Sequence, residues 1–216
     1  MSSKRKVNKA EAAARGTRAD SHAAEHAAAR QAELGKRKGK AADAALPSAV
    51  GASRVGRNAG MFALVCVAWL AFDRITKVFV DSSYSVGQVI VPDTLAILKF
   101  NLVHNTGAAW GVFSGSTITL GVVSALLCAL IAAFTVYELK RGSLLEMAAL
   151  GLVFAGGVGN MVDRFMYGYV VDFITPTFID FPTFNVADIG VTCGIGLLVV
   201  ILVTQIFQEG RKSKEE

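Results

Sequence analysis

Two aspartates towards the C-terminal end of the chain have the residue type and the surroundings needed for acid–base chemistry. Asp172 follows two valines in an apolar segment typical of a β-strand, and Asp188 falls in the first turn of a predicted helix. The positive end of a helix dipole favours a negative charge at that place. If the two carboxyl groups approach each other where water is scarce, we expect one to hold a proton while the other stays ionised.

Such a pair could hydrolyse a peptide bond. The ionised carboxylate takes a proton from water, the water attacks the scissile carbonyl, and the protonated partner donates to the carbonyl oxygen or the leaving amine. Each aspartate alone also has a simpler explanation, since Asp188 could cap its helix and Asp172 could pair with Arg164. Taken singly, the simpler explanation is favoured. The pair, rather than either member, is therefore the candidate catalytic group.

Three asparagines supply amide groups that could bind a peptide substrate. Asn105, Asn160 and Asn185 all lie near predicted ends of helices or strands. An amide side chain can donate to a substrate carbonyl and accept from a backbone N–H. Singly, each is also explained as a turn or capping residue, and Asn185, directly before a predicted helix, has the properties of an N-cap.

Other residues are expected to support such a site structurally. Asp73 and Lys77 are four residues apart, a spacing that brings them together on one helix face. Gly156, Gly157 and Gly159 predict close helix packing, because small residues let helix backbones approach each other.

The elements that must position these residues are predicted to be membrane helices. A helix needs about 20 apolar residues to cross the hydrocarbon core of a bilayer. A first span, Met61 to Val80, is interrupted by ionisable residues, which are costly at that depth and should face the bundle interior. Three plainer spans are Thr117 to Tyr137, Leu144 to Val162 and Ile189 to Phe207. The predicted fold is a mainly α four-transmembrane-helix bundle.

The distribution of Lys and Arg predicts the orientation of this bundle. Basic residues lie in the N-terminal segment, in the turn at Lys140-Arg141 and at the C-terminal end from Arg211. Under the positive-inside rule these places are cytoplasmic, so both termini are expected inside. The two remaining connections then face outward, and the candidate site lies near the extracytoplasmic face.

The outward connections contain strand-like segments. The first connection includes Val86 to Val91 and Leu95 to Asn101, and the second includes Tyr169 to Ile174. Their apolar and β-favouring residues, with turn residues between them, predict a small β-sheet on the outer membrane surface. We expect this sheet to form a cradle over a bound peptide.

Residues 1–58 differ in composition from the rest of the chain. They are rich in Ala, Lys, Arg, Ser and Gly and contain no aromatic residue, so they cannot bury enough apolar surface to offset ordering. We predict a disordered basic cytoplasmic tail near anionic lipid, although a merely solvated tail is the plainer alternative. Residues 59–208 would then form the peptidase domain and residues 209–216 a second cytoplasmic tail. Nucleic-acid binding is not expected.

The cysteines and histidines do not predict a metal site. Cys66, Cys128 and Cys193 lie within separate apolar runs at unrelated spacings, and two of the three histidines lie in the tail. We therefore expect neither a metal centre nor a disulfide framework.

Five motifs together resemble the lipoprotein signal peptidase (signal peptidase II) family. The resemblance covers about Met61 to Phe207, and the last three motifs as a set are highly specific. The motifs are D-R-I-T-K from Asp73, N-T-G-A-A-W from Asn105, G-G-V-G-N-M-V-D-R from Gly156, V-V-D-F-I from Val170 and F-N-V-A-D from Phe184.

The resemblance implies a bacterial cell-membrane aspartic endopeptidase. Its substrate would be a prolipoprotein whose cysteine carries a diacylglyceryl group, cut just before that cysteine. The catalytic dyad would be Asp172 and Asp188, and no metal or organic cofactor is implied. The positions matching substrate contacts are Asn105, Asn160, Arg164 and Asn185, and those matching supporting residues are Asp73, Lys77, Asp163, Gly107 and Gly159. Besides substrate, the expected partner is membrane lipid, and we expect a monomer.

Some features depart from the family pattern. The basic tail is additional, Trp110 stands where the family often has Phe, and His104 precedes Asn105. Aromatic walls for the site are expected from Phe72, Phe79, Trp110 and Phe113.

Two other classes of function stay open on the sequence. A transporter or channel could use the charged residues within spans as an ion path, but such proteins usually carry internal repeats, and no repeat is visible. A non-catalytic scaffold recruiting a partner through the tail predicts that both aspartates can be replaced without loss.

Overall fold

The structure is a computed structural model that describes residues 2–91, 97–107 and 115–215, with side chains at 28–37, 53–91, 97–107 and 115–212. The chain divides into two compact units, Met1–Ser53 and Arg54–Glu216. Its helices are α1 (Ser2–Ser83), α2 (Thr117–Glu138), α3 (Leu144–Tyr167) and α4 (Val186–Glu215). Its strands are β1 (Val89–Val91), β2 (Leu98–Asn105) and β3 (Val170–Pro176).

Three helices in the described part of the chain are long and apolar enough to cross a membrane. They are Thr117–Glu138, Leu144–Tyr167 and Val186–Lys212, which confirms the three plain spans. The span predicted at Met61 to Val80 lies in α1 and is not among them. Its ionisable residues reduce its apolar character, so the count of four spans stays a prediction.

The N-terminal segment has a helical backbone in the structure, where the sequence predicted disorder. Ala has the highest helix propensity, and this segment is rich in Ala. All the described side chains within it, residues 28–37, are exposed. The helix therefore gains no stability from packing at these residues, and a helix without packing is marginal in water.

Helix α3 packs against both α2 and α4. Its start is stabilised by a reciprocal capping box between Ser143 and Glu146. In its C-terminal half, Gly159 permits a close approach, because a Cβ there would lie 2.6 Å from Asp73 Oδ2 and 3.3 Å from the Ala187 Cβ. The prediction of close packing is thereby confirmed at Gly159, where α1, α3 and α4 meet.

The strands form an antiparallel sheet in the order β1-β2-β3. This confirms the small sheet that the sequence predicted; its strand order and direction come from the structure. Strand β2 continues to Asn105, beyond its predicted end at Asn101, because its last residues pair with β3. In this register Val103 lies opposite Asp172 and Asn105 opposite Val170. A buried hydrophobic cluster joins the sheet to the last turns of α1 and the start of α4. It comprises Val80, Leu102, Val171, Phe173, Ile174 and Val186.

Candidate active site

Asp172 lies on β3 and is 2% exposed. Its Oδ2 accepts a hydrogen bond of 2.8 Å from Asn105 Nδ2, and its Oδ1 accepts one of 2.6 Å from Asn185 Nδ2. Asn105 is itself oriented by the backbone N–H of Gly107, which donates to its Oδ1 at 3.0 Å. Asp172 thus takes these hydrogen bonds from the two asparagines, rather than pairing with Arg164.

Burial raises the pKa of Asp172 from its ordinary value of 3.8 to about 7, and the negative charge of Asp188 acts in the same direction. The hydrogen bonds from Asn105 and Asn185 lower this pKa without cancelling the effect of burial. A carboxyl group in this condition exchanges its proton near neutral pH, as a general acid requires.

Asp188 is the third residue of α4 and is half-buried. Its Oδ2 accepts from the backbone N–H of Asn185 at 3.1 Å, and its own backbone N–H donates to Asn185 Oδ1 at 3.1 Å. This reciprocal pair caps the helix, which confirms the N-cap prediction for Asn185. The other carboxylate oxygen, Oδ1, accepts from Asn160 Nδ2 at 2.7 Å.

Asn160 and Asn185 join the two aspartates in one hydrogen-bond network. Asn185 contacts both Asp172 and Asp188, and its Nδ2 also donates to Asn160 Oδ1 at 3.0 Å. Asn160 and Asn185 are 9% and 0% exposed. Because each amide contacts several fixed partners, its orientation is tightly constrained.

A cluster of buried ion pairs contacts the Asn160 amide through Lys77. Lys77 Nζ is 3.1 Å from Asp73 Oδ2, which confirms the predicted pair, and 3.0 Å from Asp163 Oδ2. Arg74 also pairs with Asp163. The cluster reaches the backbone as well, because Asp73 accepts from the Ala187 N–H and Asp163 from the Val171 N–H. These charges therefore connect α1 with α3, with β3 and with the start of α4.

Both aspartates border a cavity of about 440 Å³, a size in the range of small-molecule and peptide sites. Asn105, Asn160 and Arg164 also line it. The rest of its wall comprises Val170, Phe181, Pro182, Thr183, Phe184, Ile189, Thr192 and Cys193. The two carboxylates, two amides and a guanidinium thus border one largely apolar cavity.

The aromatic walls of this cavity differ from those predicted. Phe72 and Phe79 are 51% and 59% exposed and do not border it. Trp110 and Phe113 lie outside the described residues. Phenylalanines of the connection between β3 and α4 supply the aromatic wall instead, because this connection folds back on β3 through the bridge between Ile174 and Phe184.

Several contributing residues were not singled out from the sequence. Trp69 Nε1 donates to the Val186 carbonyl at 3.1 Å and so supports the start of α4. Arg74, the second residue of the D-R-I-T-K motif, joins the ion-pair cluster through Asp163. Thr192 lies one helical turn after Asp188, a spacing that could have indicated a cavity position.

The fold and the site define a membrane protein with paired carboxylates next to an apolar cavity, and comparisons identify its family. The sequence model described as Signal peptidase (SPase) II matches residues 65–204. The lipoprotein signal peptidase of Staphylococcus carnosus is 36% identical over 154 residues, covering 69% of this chain and 92% of that protein. That of Shouchella clausii is 37% identical over 151 residues, covering 70% and 98%.

Solved structures agree with this assignment. A bacterial membrane enzyme determined by the in meso method at 2.3 Å resolution has a TM-score of 0.60 and 30% identity, covering 68% of this chain and 90% of its own. A second, at 1.9 Å resolution, has a TM-score of 0.57 and 31% identity, covering 66% and 92%. The chain belongs to the signal peptidase II family, and it is accordingly a membrane peptidase.

Proposed function

We propose that this peptidase removes the signal peptide from diacylglyceryl-modified prolipoproteins, cutting just before the lipidated cysteine, with Asp172 and Asp188 as an aspartic dyad. The observation that carries the proposal is the pair of carboxylates that border one cavity and are linked through Asn185, which contacts both. Asn160 extends this link, because it contacts Asp188 and Asn185. The proposed substrate is supported by the relatives, which are named lipoprotein signal peptidases.

In the proposed reaction the two aspartates have different roles. Asp188, half-buried and hydrogen-bonded at the start of α4, is the ionised member and takes a proton from the attacking water. Asp172, whose pKa burial raises to about 7, is the protonated member and donates to the carbonyl oxygen or the leaving amine. The guanidinium of Arg164 on the cavity wall binds substrate carbonyls, together with the asparagine amides.

The proposal includes a topology. The C-terminal part of α1 is the fourth span, both termini are cytoplasmic, and the cavity opens near the extracytoplasmic face, where the sheet covers the peptide. A lipid-modified substrate then reaches the site from the bilayer, and the apolar cavity wall accepts its apolar parts. We expect the enzyme to act as a monomer in contact with membrane lipid.

Mass spectrometry of the products from purified enzyme tests the proposed activity. A synthetic peptide with a diacylglyceryl cysteine should be cut at the bond preceding that cysteine. An intact peptide after prolonged incubation with folded enzyme would overturn the proposal, and a cut elsewhere would overturn its specificity.

The pH dependence tests the assignment of the acid. Asp172 must be protonated to donate, so kcat/KM should fall as pH rises through its pKa of about 7. At lower pH the rate should fall again, as the base becomes protonated, which gives a bell-shaped profile. The profile is measured with the lipid-modified peptide in one detergent, with enzyme stability checked at each pH. A rate that keeps increasing well above neutral pH would contradict Asp172 as the acid.

Removing residues 1–50 tests the role of the tail. The tail is proposed to lie on the cytoplasmic side and the dyad on the other, so kcat in detergent should change by no more than about twofold, as for other peripheral chain ends. Full-length enzyme in the same detergent is the control. A large loss of turnover in a truncated enzyme of unchanged melting temperature would mean that the proposed topology is wrong.

A further inference from the structure

Lys77 and Asp188 are connected through the side-chain amide of Asn160. Lys77 Nζ lies 2.8 Å from Asn160 Oδ1, and Asn160 Nδ2 lies 2.7 Å from Asp188 Oδ1. An ammonium group only donates hydrogen bonds, and a carboxylate only accepts them. The two ends therefore permit one orientation of the amide, with its oxygen towards Lys77 and its nitrogen towards Asp188.

The ammonium group of Lys77 is held in place. It is 1% exposed, and its three contacts are Asp73 at 3.1 Å, Asp163 at 3.0 Å and Asn160 at 2.8 Å. An ammonium group has three donors, so each is used. Lys77 consequently has no alternative partner towards which it could turn without breaking a buried contact.

The side-chain oxygen of Asn160 also accepts a weaker hydrogen bond, from Asn185. Asn185 Nδ2 reaches Asn160 Oδ1 at 3.0 Å, but it also donates to Asp172 at 2.6 Å and is neutral. A hydrogen bond from a charged donor is roughly twice as strong as a neutral one. Without Lys77, the described contacts leave the Asn160 oxygen with this neutral, shared hydrogen bond, so the amide would be held less firmly with its nitrogen on the Asp188 carboxylate.

We propose that Lys77 is a positioning residue that holds the Asn160 amide with its N–H groups on Asp188. This inference rests on the proposed function, in which Asp188 is the ionised base. The ion-pair cluster then has two roles: it joins the helices, and it directs a hydrogen-bond donor at the carboxylate that must accept a proton from water. The effect of Lys77 on catalysis passes through Asn160.

Two substitutions of Asn160 test the second half of this connection. Asn160→Ala removes the donor, whereas Asn160→Asp keeps the size and the acceptor for Lys77 but presents a carboxylate to Asp188. We expect kcat of Asn160→Asp to be lower than that of Asn160→Ala by about 10-fold or more, the effect of replacing a donor to a charged group by a repelling one. Equal or higher kcat in Asn160→Asp would overturn the proposal.

A double-mutant cycle tests whether Lys77 acts through Asn160. Lys77→Met alone would leave a buried carboxylate uncompensated, so the cycle is made in an Asp73→Asn background, where removing Lys77 as well keeps the cluster neutral through Arg74 and Asp163. In that background Lys77→Met should lower kcat by about 10- to 100-fold. When Asn160→Ala is also present, Lys77→Met should change kcat by less than about twofold.

An equal loss with and without Asn160 would mean that Lys77 acts only on the fold, which overturns the proposal. The pH profile of kcat gives a second readout. Loss of Lys77 should move the acidic limb of this profile to higher pH, because the Asn160 amide no longer holds its N–H groups on ionised Asp188. The other groups that face Asp188 are Asp172, Arg164 and Asn185. A lower kcat at every pH, with the acidic limb unmoved, would also contradict the proposed role of Lys77. If Asp188→Asn retains turnover, the proposed function itself fails, which is a different result from additivity in this cycle.

Discussion

Asp172→Asn and Asp188→Asn should each lower turnover of a lipid-modified prolipoprotein by about 10³-fold or more, in the upper range for loss of a general acid or base. Asparagine has the shape of aspartate but cannot exchange a proton. An amide at position 188 could not accept a proton from water, and an amide at position 172 could not return one to the leaving group. The measurement is kcat of each purified variant with the diacylglyceryl peptide.

A matched control is available in the connection that follows β3, the strand of Asp172. Asp180 is exposed and does not line the cavity, so Asp180→Asn should retain turnover within about twofold, as is usual for surface substitutions. Melting temperatures of all three variants in one detergent separate loss of chemistry from loss of fold. Substantial turnover by folded Asp172→Asn or Asp188→Asn would remove that residue from the mechanism.

Two of the apolar helices could be predicted closely because their signal is local. Spans α2 and α3 begin at the predicted residues, Thr117 and Leu144, since an apolar run with polar flanks defines a membrane helix. The end of β2 could not be predicted in this way. His104 and Asn105 are extended because they pair with Val171 and Val170, and strand register depends on a partner distant in sequence.

The first span shows how burial alters an estimate from average hydropathy. Asp73 and Lys77 are 0% and 1% exposed and compensate each other's charge. A hydropathy average counts both as if they faced lipid, although neither does. The sequence indicated the Asp73–Lys77 pair because both residues lie on one helix, four positions apart. It did not indicate the ion pair of Arg74, because the partner, Asp163, lies on α3.

The candidate site was predictable as a set of residues but not as a network. Asp172 and Asp188 were indicated by residue type and setting, and both border the cavity. The contact between Asn160 and Asn185 depends on how closely α3 approaches the start of α4. That approach requires Gly156, where a Cβ would lie 2.3 Å from the carbonyl oxygen of Ala187. The sequence shows the glycine. It does not show the orientations of the Asn160 and Asn185 amides, which depend on the close approach that the glycine permits.

A peptide identical to the substrate but with an unmodified cysteine should be cut far more slowly, with kcat/KM lower by at least about 100-fold. In the proposed topology the diacylglyceryl chains hold the substrate in the bilayer at the depth of the dyad. Each buried methylene contributes about 0.8 kcal/mol to that retention, so a few methylenes account for a 100-fold effect. Binding energy from these remote chains then positions the scissile bond.

The comparison of these two peptides also separates the competing functions. A transporter or a scaffold would cut neither peptide, and a membrane protease without lipid specificity would cut both at similar rates. The assay uses one detergent at fixed micelle concentration, because partition of the lipidated peptide into micelles otherwise changes its effective concentration. Folded Asp188→Asn enzyme with the lipidated peptide gives the background rate. Similar kcat/KM for both peptides would refute the lipidated substrate class, while leaving the aspartic chemistry of Asp172 and Asp188 to be judged by their own variants.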